Sequence, residues 1–142
     1  MENKDNPQDG AEFERAVAKF LRSLGMDVTG NFRVDVGVAN TQKSHKFDLG
    51  QSEPLVLVEC KEHTWTKGGN VPSAKMSIWN EAMLYFSASP KRARKMLFVL
   101  RSLRKDETLG QYYIRSYAHL IPDGVGIWEF DRQTKQGELI YT

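Results

Sequence analysis

The stretch LVLVECK, residues 55–61, limits the fold more than any other part of this chain. Four apolar residues in succession leave no polar face, so a strand built from them needs cover on both sides, as in the middle of a sheet with helices above and below. The charges that follow, Glu59, Lys61 and Glu62, mark the point where the cover ends. In an extended chain alternate side chains share a face, so Leu55, Leu57, Glu59 and Lys61 point one way while Val56, Val58, Cys60 and Glu62 point the other. Isolated charge is costly to bury, and Glu59 and Lys61 therefore require a partner, a metal ion or water where the core opens.

The segments around this strand have their own periodicities. Residues 1–10 read as a flexible tail. Beyond them Phe13, Val17, Phe20, Leu21 and Leu24 recur at helical spacing with Arg15, Lys19 and Arg22 opposite, and Gly25 stops the helix. VDVGV within residues 26–38 and HKFDLG at residues 45–50 are short and β-compatible, and with LVLVECK they make a three-strand meander. After a loop marked by Gly68, Gly69 and Pro72, the residues Met76, Ile78, Trp79, Ala82, Met83, Tyr85 and Phe86 form the wide apolar arc of a second helix closed by Pro90. MLFVL is a fourth buried strand, residues 108–120 a third helix, and VGIWEFD with ELIYT one or two final strands. The expected fold is α/β, one domain over residues 11–142 with a central mixed sheet flanked by helices.

At 142 residues the chain suits a single domain with a real core, and 40% hydrophobic and 11% aromatic residues exclude a disordered chain. No apolar run approaches the roughly 20 residues that span a bilayer, and the polar start MENKDNPQDG lacks a signal peptide's apolar core. With one cysteine, Cys60, no internal disulfide forms, so a cytoplasmic protein without membrane association is expected. CxxC and HExxH motifs are absent, and no zinc site announces itself.

Three acids have candidate roles beside the charged strand end. Asp48, in HKFDLG, falls at the end of the strand adjacent to Glu59. Two carboxylates converging on one point repel, and a hard divalent cation is the usual physical reason for tolerating them. Glu14 lies about 100° round the first helix from Phe13 and borders its apolar face. It either leans toward the sheet as a third acid or, like Glu12 on the other flank, serves the helix dipole.

The basic run KRARKMLFVLRSLRK, residues 91–105, holds Arg92, Arg94 and Lys95 among seven cations and no acid. It either lines up phosphates or solvates the two ends of its strand. Lys75 stands inside the apolar arc at the start of the second helix, where it points at the mouth of a site or snorkels to solvent. His63 continues the face of Glu59 and Lys61 toward phosphate or water, or is a surface loop histidine. Trp65 stacks on a base or anchors its loop, and Tyr112, Tyr113 and Tyr117 are read as packing groups.

Asp48 followed by Glu59-Cys60-Lys61 at a strand end, after a helix bearing Glu14 and before a long helix, resembles the PD-(D/E)xK nuclease superfamily with its restriction-endonuclease-like αβββαβ core. The resemblance covers residues 11–101, and its weight lies in the order of the elements, since D-x(n)-E-x-K alone is a weak pattern. Phe47 stands where the family's proline would be. The resemblance implies that Asp48, Glu59 and the backbone carbonyl of Cys60 bind Mg2+, with Mn2+ as a possible substitute. It also implies that Lys61 orients or activates water and that Glu14 is an outer acid. Lys75, Arg92, Arg94 and Lys95 are candidate nucleic-acid contacts from their charge and position alone. Oxygen ligands suit Mg2+ on independent chemical grounds.

The expected activity is metal-dependent hydrolysis of phosphodiester bonds in DNA. The alternatives are a non-catalytic nucleic-acid-binding module of the same fold, and an interaction domain with no nucleic-acid role. One domain offers one centre and so one strand cut per encounter, and a double-strand break is most simply made by a two-fold pair, so a homodimer is expected.

Overall fold

A computed structural model describes residues 7–142. Helix α1 (Pro7–Ser23) leads into strands β1 (Thr29–Val36), β2 (Lys43–Gln51) and β3 (Val56–Lys61), followed by helix α2 (Ser73–Ala88) and strand β4 (Arg94–Leu100). A two-residue ribbon, β5 (Leu103–Arg104) with β6 (Glu107–Thr108), precedes helix α3 (Leu109–Tyr117), a 3-10 turn (Ala118–Leu120), and strands β7 (Val125–Asp131) and β8 (Gln136–Tyr141). The expected αβββαβ order is therefore present, and both final strands form. The short ribbon was not legible in the sequence, because two-residue strands carry no periodicity.

One boundary moves. The tail expected over residues 1–10 gives way to helix from Pro7, whose locked φ is pre-organised for a first helical turn. Residues 1–6 lie outside the described residues.

The six-stranded sheet runs in the order β1, β2, β3, β4, β7, β8. β3, β4 and β7 are parallel, while β1, β2 and β8 pair antiparallel at the flanks. Two apolar layers cover it. On one side Phe13, Val17 and Leu21 of α1 meet Val56, Val58, Met96, Phe98 and Phe130. On the other, Met76, Trp79, Met83 and Phe86 of α2 and Tyr113 of α3 meet Leu55, Leu57, Leu97, Val99 and Ile127. The LVLV run is thus divided residue by residue between two cores, as its lack of a polar face requires. Each such side chain contributes roughly 1.5–3 kcal/mol on burial.

The sheet is not evenly paired. β2 pairs with β1 over most of its length but with β3 at only three positions, Leu49 with Val58, Gly50 with Leu57, and Gln51 with Val56. Phe47 packs in the α2 layer and Leu49 in the α1 layer, although residues two apart in a regular strand share a face. β2 therefore changes face at Asp48. Opposite it in the unbroken register of β1, between the Gly30–Leu49 and Phe32–Phe47 pairs, Asn31 adopts a left-handed backbone (φ 53°) that asparagine tolerates better than most residues. β2 parts from β3 beyond the Leu49–Val58 pair, which opens a gap at the carboxyl end of the central strand.

Candidate active site

Carboxylates fill the gap between β2 and β3 in place of ladder hydrogen bonds. The backbone N–H of Asp48 donates to Glu59 Oε2 at 3.0 Å, and the backbone N–H of Cys60 donates to Asp48 Oδ2 at 2.8 Å. Each acid thus satisfies the backbone donor that its neighbour's strand lost when the two parted. In a strand the N–H and C=O of one residue face the same neighbour, so the Cys60 carbonyl is directed into the same gap. Asp48, expected at a strand end, sits inside β2 at the point where β2 leaves β3.

Glu14 joins this pair. α1 crosses the sheet with Phe13 buried beneath it, and this brings Glu14 within side-chain hydrogen-bond reach of Asp48. Burial and then the Asp48 charge push its carboxyl up to about 6. Glu59, only 6% exposed, is pushed up to about 8, first by burial and then by Asp48, against the opposing pull of Lys61 and the Asp48 N–H. Lys61 Nζ stands 3.8 Å from Glu59 Oε1, an ion pair rather than a hydrogen bond. The four residues from three elements converge. Cys60 is no nucleophile: its thiol is buried toward α1, and burial with the surrounding acids pushes it well up.

The basic run does not form one face. Arg94 and Lys95 open β4 in register with Val56 and Leu57, whereas Glu59 is level with Leu97 and Lys61 with Val99. At 3.3 Å per residue Arg94 lies roughly 16 Å along the sheet from Lys61. Arg92 and Arg94 are exposed at that far end, and Lys95 is almost wholly buried there. Arg101 and Arg104 leave β4 at the end nearer the acids, but Arg104 is engaged. It donates to the Gly69 carbonyl at 2.5 Å and covers the Trp65 ring at 3.7 Å.

The loop from β3 to α2 is held by its aromatic residue. Trp65 is buried, with its backbone N–H on Ser102 Oγ and its indole N–H on the Ser102 carbonyl, which favours the anchor over the base-stacking reading. His63 Nδ1 accepts from the buried Trp79 indole at 2.8 Å. Lys75 is half-buried in the first turn of α2. Tyr113 packs on Trp79 and donates to Asn80 Oδ1 at 2.8 Å, and Tyr112 and Tyr117 pack as expected.

Sequence reading passed over His45. It stacks on Tyr85 of α2 with ring centroids 3.6 Å apart, and its Nε2 is buried without a hydrogen-bond partner among the described residues. Burial holds its pKa below the ordinary value, while Asp48 and Glu81 pull the other way. Strand alternation places His45 on the face of Phe47, and that was the available signal. Glu129 was also missed. It is buried in β7 and accepts from the Thr108 hydroxyl that caps α3.

Glu59 makes stability depend on pH. Its folded pKa of about 8 exceeds the ordinary 4.5, so the folded state binds the proton more tightly, and stability falls as pH rises between these values. Glu59→Gln keeps an oxygen for the Asp48 N–H and removes the charge. In chelator the variant is expected to gain on wild type by a few kcal/mol between pH 5 and pH 9, on the order of 10 °C in melting temperature. Equal melting curves for the two proteins at both pH values would refute this.

Comparison with family models, curated proteins and solved structures gives no match. Among the described residues, no helix is long and apolar enough to cross a membrane.

Proposed function

We propose that the chain is a Mg2+-dependent nuclease hydrolysing phosphodiester bonds in DNA, in the manner of the PD-(D/E)xK enzymes it resembles. The observation behind this reading is the reciprocal bracing of Asp48 and Glu59 across the gap between β2 and β3, with Lys61 3.8 Å from Glu59. A purely structural ion pair needs neither the second carboxylate nor the opened strands.

The donor set fits Mg2+ rather than a closed cage. Among the described residues no group of three or more His, Cys, Asp or Glu side chains is arranged as a ready metal site. Mg2+ commonly takes one or two carboxylates and keeps several waters. Asp48 and Glu59 each spend one oxygen on a backbone N–H and retain the other, and the Cys60 carbonyl faces the same gap. These three would hold the ion, which when bound polarises a phosphoryl oxygen and acidifies water. Lys61 orients the attacking water and places positive charge where the pentacoordinate phosphate gathers negative charge. Glu14, raised to about 6, is a better proton acceptor than an ordinary glutamate and serves as the outer acid.

The test is cleavage of supercoiled plasmid, linear duplex, single-stranded DNA and RNA with Mg2+, with Mn2+ and with chelator. Metal-dependent cleavage of any DNA is the expected result. Binding without cleavage under every condition would instead mark a non-catalytic module, and neither binding nor cleavage an interaction domain. Because a single centre cuts one strand, a two-fold homodimer is expected on duplex DNA. Light scattering that gives one protomer's mass both with and without duplex would rule it out.

A further inference from the structure

A second cluster of charge lies outside the acid centre. Arg15, Lys19 and Ser23 follow one another at four-residue intervals along α1, and Lys135 faces them from the β7–β8 turn, enclosing a cleft of about 380 Å³ with Phe20 in its wall. No carboxylate lines it. Among the described residues none of the three cations is in an ion pair. Like charges gathered on a concave surface favour an anionic occupant.

The cleft is built rather than incidental. Lys135 is held in a left-handed backbone (φ 61°), with its N–H on the Asp131 carbonyl at 2.8 Å, and Asp131 Oδ1 accepts from Gln133 N at 2.8 Å. Gly137 lets the turn approach α1, since a Cβ there would stand 2.8 Å from the Phe20 ring. Phe20 itself is pinned edge-on against Phe98 and Trp128. Arg15 and Lys19 stand about 6 Å apart along the helix axis, and Lys135 faces them across the cleft.

We propose that this cleft binds the sugar–phosphate backbone of a polynucleotide, with Arg15, Lys19 and Lys135 holding phosphates outside the reacting centre. The identity of the polynucleotide as substrate rests on the nuclease reading, while binding in the cleft does not. Three cations spread over the helix and the facing turn, with no carboxylate among them, offer more positive charge than one phosphate neutralises and so suit a continuous chain of phosphates better than a single anion.

The test is fluorescence anisotropy of a labelled 20-nucleotide strand and of its duplex, in chelator, over a range of salt. Wild type is compared with the Arg15→Gln/Lys19→Gln/Lys135→Gln variant. The slope of log K against log salt is expected to shrink by about 1 to 3, since each phosphate neutralised contributes about 0.9 on duplex and about 0.7 on a single strand. Affinity near 0.1 M salt should drop at least tenfold. Circular dichroism checks the fold, and Lys19→Gln/Lys135→Gln gives a smaller loss of the same sign should the triple variant misfold. An unchanged slope and affinity overturns the cleft, and Mg2+-dependent cleavage persisting in the same variant leaves the nuclease reading standing. Slope loss in a protein that never cleaves supports the cleft and sinks the nuclease reading. Displacement of the strand by millimolar inorganic phosphate, at constant ionic strength, overturns the polynucleotide assignment in favour of a small-anion site.

Discussion

Asp48→Asn and Glu59→Gln are each expected to reduce Mg2+-dependent cleavage by about three orders of magnitude while leaving the protein folded. Each replacement keeps an amide oxygen that can accept the backbone N–H which the carboxylate braces, from Cys60 in one case and Asp48 in the other. What is lost is charge. A divalent ion held by two carboxylates loses a principal ligand, and the several kcal/mol of transition-state stabilisation that the ion supplies correspond to about 10³-fold in rate. Calorimetric Mn2+ titration beside the cleavage assay reads both effects. A Glu59→Gln protein that cleaves at the wild-type rate, or binds Mn2+ as wild type does, would return Glu59 to the role of a strand-end ion-pair partner.

Lys61→Ala is expected to split these two readouts, with cleavage falling about 10²- to 10³-fold and ion binding unchanged or tighter. The sign follows from the position of Lys61 Nζ, 3.8 Å from Glu59 Oε1. A cation there repels a proton on Glu59 with one charge and a divalent ion with two, so its removal favours the ion over the proton. Loss of water positioning and of positive charge at the phosphate then appears in the rate alone. Weakened Mn2+ binding in Lys61→Ala, or normal cleavage, would rule out the role assigned to this lysine.

How much of this was legible differs by element. Helix α1 was legible from Phe13, Val17 and Leu21, and α2 from Met76, Trp79, Met83 and Phe86, because their spacing directly records which side is buried. β3 was legible for the opposite reason: LVLV lacks any periodicity, and the two cores that claim alternate residues explain why. The start of α1 was misjudged, since a polar first turn beginning at Pro7 has no apolar stripe to reveal it.

The site was only half legible. That Asp48, Glu59 and Lys61 belong together followed from strand alternation and element order. The manner of their meeting did not, because it depends on the change of face at Asp48 and the three-pair contact of β2 with β3, and neither has a sequence period. The basic run illustrates the limit of linear reading. Its seven cations fall within residues 91–105, yet β4 carries them to opposite ends of the sheet. Conversely, Lys135 is more than a hundred positions from Arg15 and Lys19 in the chain and shares one cleft with them.

The sequence by itself determined the elements, the double-sided burial of the central strand and the acids available at its end, because burial preference is a property of each residue and its near neighbours. Tertiary structure alone decided that Glu14 reaches Asp48, that two carboxylates replace the missing ladder bonds, and that Glu59 rises to about 8. Those are consequences of distance and desolvation, which arise only when segments far apart in the chain are packed against one another.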